Sequence, residues 1–203
     1  MVPELEDADN AAMRRLSEGD DLALKEIMDR WQRPMTHYLF RHLGREHDAV
    51  SLAQETFVRV YEQRGRYKPT GKFATWLFTI ATNLCRNHVR WQVRHPTVPL
   101  GVEADGEDSP RQEPVDPGAT PSETVLAREK AAAVQTAITL LPEDLRTAVL
   151  LFEYENLGHE EIARVQECSA KAVEMRLYRA RQLLRDRLRA FFGPDEKSGN
   201  KGI

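Results

Sequence analysis

The chain has 203 residues, of which 41% are hydrophobic and 30% charged, with a formal net charge of −3. This length allows one or two small domains with hydrophobic cores. No apolar run is long enough to cross a bilayer, and the acidic segment 1–9 lacks the basic and apolar regions of a signal peptide. We therefore expect a cytoplasmic protein without membrane insertion. The net charge alone does not favour nucleic acid, but basic residues are concentrated in two predicted helical regions.

Residues 11–94 have apolar side chains at helical spacing and predict a bundle of helices. The first helical pattern contains Leu22, Leu24, Ile27, Met28 and Trp31. Pro34 is placed to end or kink this helix before the pattern resumes, and Gly44 is placed to stop it. The next helix is predicted to begin at Asp48, with an apolar stripe at Val50, Ala53, Phe57, Val58 and Tyr61.

Gly65, Pro69 and Gly71 mark a loop, after which residues 73–94 form the next predicted helix. Its polar side is formed largely by Lys72, Asn83, Arg86, Asn87, Arg90 and Arg94. Aromatic rings beside basic and amide side chains suit single-stranded nucleic acid, because bases stack on rings while arginines follow phosphates. Aromatic residues at helical spacing are more often core residues, so we assign Trp76 and Phe78 to the core.

Residues 95–122 separate two predicted domains. Prolines and glycines alternate here with acidic residues, which leaves almost no apolar surface to bury. Such a segment cannot offset the entropy of ordering, so we expect an acidic, extended linker. Composition alone favours a passive tether.

The segment from Leu157 to Arg189 has the pattern of a helix-turn-helix. A short helix at 160–165 and a turn at 167–169 precede a long basic helix from Ala170 onward. Ile162 and Ala163 are spaced to pack against Val173 and Leu177, and Ser169 is placed to cap the second helix. An arginine-rich helix alone could be a solvated surface helix, but the turn and the preceding helix favour DNA recognition.

Metal and catalytic sites are not predicted. His37, His42 and His47 recur every five residues, which spreads them around a helix, and Cys85 with His88 has no second pair of ligands. No nucleophile, base and orienting residue occur together in a local motif. Cys85 and Cys168 fit small buried side chains better than a disulfide framework. We expect neither enzymatic activity nor a cofactor.

Several of these runs resemble one family. Residues 48–57 (DAVSLAQETF) and 73–83 (FATWLFTIATN) are similar to region 2 of the extracytoplasmic-function (ECF) sigma factors of bacterial RNA polymerase. Residues 141–146 (LPEDLR), 160–163 (EEIA), Ser169 and 179–181 (RAR) are similar to region 4. The resemblance implies an all-α fold of two helical domains. These are a region 2 bundle at 11–94 and a region 4 helix-turn-helix at 123–192, joined by an acidic flexible linker at 95–122.

The resemblance also implies a function, which is to direct core RNA polymerase to specific promoters and initiate transcription. The implied polymerase-binding residues are Asp48, Gln54, Glu55 and Phe57. The implied minus-ten residues are Lys68, Lys72, Phe73, Asn83, Arg86, Asn87 and Arg90, where the loop at 66–72 and the following helix would open the DNA and flip a base. The implied minus-thirty-five residues are Lys171, Glu174, Met175, Arg176, Tyr178, Arg179 and Arg181.

Among these, Arg176 and Arg181 are better placed for phosphates, whereas Lys171 or Arg179 can bond guanine and Glu174 can accept from cytosine. The implied partners are core polymerase, promoter DNA and an anti-sigma factor that occludes these surfaces. The linker would thread towards the active centre of the polymerase.

The chain departs from the family pattern at several positions. Val50 and Ser51 replace two acidic residues, which weakens the expected charge complementarity to polymerase. His159 replaces the usual hydroxyl cap, and Gln166 and Glu167 replace a leucine and a glycine. The turn is therefore expected to contain a polar residue at the core and up to about 1–2 kcal/mol of backbone strain.

Two alternative functions remain open at this point. A helix-turn-helix regulator would bind duplex DNA by itself, with the N-terminal helices serving dimerisation or signal sensing. A protein-binding adaptor that has lost DNA recognition would bind polymerase without starting transcription. Gln166, Glu167 and Glu174 are the only hints of the adaptor.

Overall fold

The computed structural model describes residues 3–69, 71–95 and 121–192, and the side chains of 8–69, 71–95 and 125–189. The described parts contain eight α-helices: α1 (Pro3–Ser17), α2 (Leu22–Leu43), α3 (Glu46–Glu62), α4 (Phe73–Arg94), α5 (Pro121–Thr139), α6 (Glu143–Val149), α7 (His159–Val165) and α8 (Ala170–Phe192). A short 3₁₀ turn (Arg64–Arg66) follows α3, and a π-helical turn (Leu150–Tyr154) follows α6. The all-α fold of two helical domains is confirmed. Most of the predicted linker, and the tail after Gly193, lie outside the described residues.

Helix α2 runs through Pro34, so of the two predicted effects of this proline, an end or a kink, the end is wrong. Trp31, Met35 and Tyr38 lie on either side of Pro34 and are all buried. Burial of one apolar face across the proline outweighs the loss of one backbone hydrogen bond. The predicted stop is confirmed, because Gly44 has a φ of 74° and donates its N–H to the carbonyl of Phe40.

Helix α3 begins at Glu46, two residues before the predicted start. Its buried residues are Ala49, Ala53, Thr56, Phe57 and Val60. Val50 and Val58 are 40% and 49% exposed, so the predicted stripe was rotated by part of a turn. A helix with small residues at several positions leaves its buried face poorly defined by apolar periodicity alone.

The first domain is centred on aromatic side chains from α2 and α4. Trp31 and Tyr38 pack with their ring centroids 6.1 Å and 5.0 Å from that of Phe78, in edge-to-face arrangements. Phe78 is therefore a core residue, as predicted. Trp76 is half-buried and packs 4.8 Å from the ring of Tyr67, so it lines the underside of the loop before α4.

Candidate nucleic-acid interface

The helix-turn-helix forms as predicted. Ile162 and Ala163 of α7 and Val173 and Leu177 of α8 are all buried. The Ser169 side chain accepts a hydrogen bond from the backbone N–H of Ala172 at 3.1 Å, which satisfies an amide that the first turn of α8 leaves unpaired. The apolar contacts and the cap together fix the angle at which α8 leaves the turn.

Replacing Ser169 by alanine is expected to lower the free energy of unfolding by about 1 kcal/mol, because an unpaired amide would remain at the start of α8. Urea denaturation followed by circular dichroism measures this. Ser51→Ala, at an exposed position inside α3, is the matched control and should be neutral or slightly stabilising. Equal losses in the two variants would show that the cap contributes nothing.

The unusual residues of the turn are accommodated in different ways. Glu167 has a φ of 51°, a left-handed conformation that costs a non-glycine residue about 1–2 kcal/mol, as expected. Gln166 is buried, donates to the carbonyl of Asp144 at 2.8 Å and accepts from Arg176 at 3.0 Å. His159 is not the cap of α7: Gly158 precedes the helix, and its N–H donates to Glu161 at 2.7 Å.

Helix α8 presents the predicted base-reading residues to solvent. These are Lys171, Glu174, Met175, Tyr178 and Arg179, all of which are exposed. The Lys171 ammonium lies 2.8 Å from the Glu174 carboxylate, and this hydrogen bond lowers the pKa of Glu174. The exposed face of α8 therefore contains a donor and an acceptor side by side.

The two arginines predicted to bind phosphates are paired within the domain. Arg176 contacts Asp144 at 3.0 Å and Gln166 at 3.0 Å. Arg181 contacts Glu153 at 2.8 Å. In this structure each of the two guanidinium groups is therefore bound to a carboxylate of the same domain.

The predicted minus-ten residues divide into three groups. Lys68, Asn87 and Arg90 are exposed. Lys72 and Arg86 are bound to acidic residues of the second domain, and the half-buried Asn83 accepts a hydrogen bond from Arg86 at 3.2 Å. Phe73 is fully buried beneath the loop, against Trp31 and Trp76, so in this structure it supports the surface from below.

The predicted polymerase-binding residues lie on α3. Gln54 is exposed, and Glu55 is paired with Arg59 at 2.9 Å. Asp48 is mostly buried and lies 3.4 Å from His88. Phe57 is only 3% exposed, so it packs behind the surface formed by the other residues.

Sequence patterns did not reveal a polar contact between the two domains. His42 of α2 lies between Cys85 of α4 and Thr147 of α6, with Nδ1 3.1 Å from the Cys85 sulfur and Nε2 2.9 Å from the Thr147 oxygen. Burial raises the pKa of Cys85 to about 12, so the thiol keeps its proton and can donate it to Nδ1. Burial, followed by the charge of Arg146, lowers the pKa of His42 to about 3, so the ring is neutral.

Arg146 of α6 completes this interdomain contact, in which α7 packs against α4, and α5 and the π-helical turn pack against α2. Its guanidinium donates to the carbonyls of His42 at 2.7 Å and Leu141 at 2.8 Å, and to that of Thr139. Burial lowers the pKa of Arg146. No local signal in the sequence could have shown these contacts, because His42 and Thr147 are 105 residues apart.

Within the described parts of the chain, no helix is both long and apolar enough to span a membrane. The same residues contain no group of three or more histidine, cysteine, aspartate or glutamate side chains suited to a metal ion.

The fold and its surfaces define a two-domain, all-helical protein with a DNA-binding helix-turn-helix. Two family models match the chain: Sigma-70 region 2 over residues 27–95, and Sigma-70, region 4 over residues 131–184. The first match covers most of α2 to α4, and the second covers the helix-turn-helix with the preceding helices. The N-terminal helices are thus those of a sigma factor, not the sensing module of an independent regulator.

Similar curated proteins agree with these matches over nearly the whole length. The ECF RNA polymerase sigma-E factor of Haemophilus influenzae is 31% identical over 180 residues, covering 89% of this chain and 95% of that protein. The ECF RNA polymerase sigma factor SigW of Bacillus subtilis is 30% identical over 179 residues, covering 87% and 95%.

Two solved structures share the fold. CnrH, in complex with the cytosolic domain of CnrY, has a TM-score of 0.66 at 23% identity, covering 90% of this chain and 98% of that one. The sigma factor RpoE of Bartonella quintana, in complex with the anti-sigma factor NepR, has a TM-score of 0.62 at 19% identity, covering 81% and 96%.

The chain belongs to the ECF sigma factors of the sigma-70 family. It directs core RNA polymerase to specific promoters and initiates transcription. Sigma factors are initiation factors and not enzymes, so family membership confirms that expectation.

Proposed function

We propose that α8 reads the minus-thirty-five element in duplex form, with Lys171, Glu174, Met175, Tyr178 and Arg179 facing the bases. The observation that carries this assignment is their common exposure on the helix that follows the turn. A helix in this position enters the major groove, where lysine or arginine bonds guanine and a carboxylate accepts from cytosine. Arg176 and Arg181 exchange their carboxylate partners for phosphates on binding.

The loop before α4 and the exposed side of α4 bind the minus-ten element. Lys68, Asn87 and Arg90 are accessible to a single strand, and Asn83 lies on the same side of the helix, four residues before Asn87. Phe73 and Trp76 pack beneath the loop and hold it in place. Flipping a base costs a few kcal/mol, which contacts to the flipped base offset.

The surface of α3 formed by Gln54 and Glu55, with the mostly buried Asp48 near the start of the helix, binds core polymerase. Phe57 acts from the core by fixing the position of this face. Val50 and Ser51 are exposed on the same helix, where acidic residues would add charge complementarity. The contact therefore depends on a small number of polar residues.

The domain limits that fit these roles are 11–94 for region 2, 95–122 for the linker and 123–192 for region 4. The family matches at 27–95 and 131–184 support them. Complexes of CnrH with CnrY and of RpoE with NepR support an anti-sigma partner for this chain as well. Because it acts on core polymerase and promoter DNA, we infer that the chain works in the cytoplasm.

The experiment that tests this function is in vitro transcription with purified core RNA polymerase and a randomised promoter library, with and without the chain. Transcripts that start downstream of one shared two-part motif are the expected result. These transcripts should be absent from reactions that contain core polymerase alone. Tight duplex binding without polymerase, and no protein-dependent transcripts, would contradict the proposal.

The same assay tests the role of Lys171. Lys171→Ala should relax the preference at one position of the minus-thirty-five element, at a cost of about 1–3 kcal/mol for the preferred base. Arg185→Ala is the matched control, because Arg185 is exposed on α8 about four turns further along. The control should leave the selected motif unchanged. A motif that is also unchanged in Lys171→Ala would remove this residue from base reading.

A further inference from the structure

Helix α1 is fixed on α2 by a buried carboxylate. Asp9 is only 2% exposed, and its two oxygens accept hydrogen bonds from Arg30 Nε at 2.8 Å and from Trp31 Nε1 at 3.0 Å. Hydrogen bonds to an ionised acceptor are about twice as strong as neutral ones. Met13 and Leu16 of the same helix are fully buried. These contacts hold α1 in a defined position beside the first domain's core.

The next residue of α1 contacts the loop before α4. Successive residues of a helix point about 100° apart, so Asn10 faces a different neighbour from Asp9. The side-chain oxygen of Asn10 accepts a hydrogen bond from the Tyr67 hydroxyl. Tyr67 directly follows the 3₁₀ turn and has an extended backbone, with a φ of −63° and a ψ of 130°. Helix α1 therefore bridges α2 and the start of the loop.

The ring of Tyr67 is held from the other side by α4. Its centroid lies 4.8 Å from that of Trp76 and 6.0 Å from that of Phe73, in edge-to-face arrangements. The hydroxyl is held by α1 and the ring by α4, so this side chain is fixed at both ends. Lys68, the next residue, is exposed. Fixing Tyr67 therefore fixes the direction in which the chain continues into the exposed part of the loop.

A loop that is already ordered loses less conformational entropy when it binds a ligand. The contacts of Tyr67 therefore favour binding at the loop without touching the ligand themselves. Helix α1 (Pro3–Ser17) precedes the Sigma-70 region 2 match, which begins at residue 27. The roles implied by region 2 thus do not extend to Asn10.

We propose that Asn10 is a positioning residue for minus-ten recognition, because its hydrogen bond to Tyr67 holds the loop before α4 in the form that accepts the flipped base. Without this bond the loop samples other conformations and discriminates less between bases. Contacts to phosphates carry no sequence information, so they maintain binding to all sequences alike. This inference rests on the proposed role of the loop in minus-ten binding.

The test is in vitro transcription by the polymerase holoenzyme from a selected promoter that is randomised only at its minus-ten positions. The variants are Tyr67→Phe, which keeps the ring, and Asn10→Leu, which keeps the volume. The measured quantity is the ratio of transcripts from the preferred base to those from the next base at each position. Loss of one hydrogen bond should lower this ratio about threefold to tenfold at the flipped base. The preference at the minus-thirty-five element should not change.

Two further variants identify the bond itself. Asn10→Asp keeps an acceptor oxygen for the Tyr67 hydroxyl and should keep the preference. Its added charge weakens DNA binding for all bases alike, so the ratio is unaffected. The double variant, Asn10→Leu with Tyr67→Phe, should lose no more than one single variant, because both changes remove the same bond.

Tyr61→Phe is the matched control for Tyr67→Phe. It also removes one tyrosine hydroxyl from the first domain, but the ring keeps its contact with Arg64, whose guanidinium lies 3.9 Å from the ring centroid. This control should have the wild-type ratio. Thermal melts of all variants report separately on stability. The inference is overturned if Tyr67→Phe and Asn10→Leu have the ratio of the control, whatever their melting temperatures, or if Asn10→Asp loses as much preference as Asn10→Leu.

Direct changes to the minus-ten surface separate this inference from the proposed function. Lys68→Gln should lower the yield of transcripts, and Asn87→Ala should alter the minus-ten preference, because both residues are exposed on that surface. If both variants behave as wild type does, the proposed minus-ten role is wrong, and the inference falls with it. If they change transcription while Tyr67→Phe matches its control, the inference alone is wrong.

Discussion

Replacing Arg146 by methionine is expected to lower the free energy of unfolding by about 3–5 kcal/mol. The guanidinium donates to three backbone carbonyls, those of His42, Thr139 and Leu141. Each hydrogen bond from a charged donor contributes about 1.5–3 kcal/mol, part of which offsets the desolvation of the arginine. Methionine fills a similar volume but leaves the three carbonyls without this donor.

The measurement is urea denaturation followed in parallel by circular dichroism and by tryptophan fluorescence. Trp31, Trp76 and Trp91 all lie in the first domain, so fluorescence reports on that domain alone. Arg146 belongs to the second domain, and a coincident shift in both signals shows that the domains unfold together. Arg33→Met, exposed on α2, is the control and should change little. A loss below about 1 kcal/mol would contradict the expected role.

Replacing His42 by glutamine is expected to remove a pH dependence of about 3 kcal/mol between pH 7 and pH 4. The pKa of His42 is lowered from 6.5 to about 3 in the folded chain. The unfolded chain therefore binds more protons than the folded chain in this window. Stability contributed by the neutral ring is present above pH 6.5 and is lost as the pH falls toward 3.

The comparison must be a difference between wild type and variant, because Glu155 acts in the opposite direction. Burial raises the pKa of Glu155 to about 7, so its contribution to stability is present below pH 4.5 and is lost as the pH rises through 7. Denaturation curves at several pH values are compared for wild type, His42→Gln and His47→Gln. The comparison separates the contribution of His42 to stability from that of Glu155. His47 is 94% exposed and should leave the pH profile unchanged. A His42→Gln profile parallel to wild type would contradict the expected effect.

Local features of the fold could be predicted from the sequence. Gly44 ends α2, Ser169 caps α8, and the apolar pairs of the helix-turn-helix are buried where their spacing places them. Each of these depends on residues within about one or two turns of one another, where helix geometry fixes the outcome. The sequence left open whether α2 ends at Pro34, because burial on both sides of the proline, which no local pattern reports, decides whether the helix continues.

The burial and the ion pairing of the predicted site residues could not be derived from residue type. Phe57 and Phe73 match the family pattern, but both are buried, and Lys72 and Arg86 are paired with acids far away along the chain. The expected role of each position came from the family resemblance alone, and charge patterning showed only which helices are basic. Which carboxylate meets which cation depends on how the two domains pack, and tertiary contacts of this kind have no local signature.

The contact between His42 and Thr147 also constrains how the chain assembles during synthesis. The N-terminal helices leave the ribosome first, and His42 then has its partner Cys85 of α4 but not yet its partner Thr147 of α6. At about 5–20 residues per second, the roughly 50 residues from the end of α4 to Thr147 take several seconds to appear. During that interval the surface around His42 that the second domain later covers is exposed to water. The order of synthesis therefore determines when the contact between the two domains of this sigma factor can form.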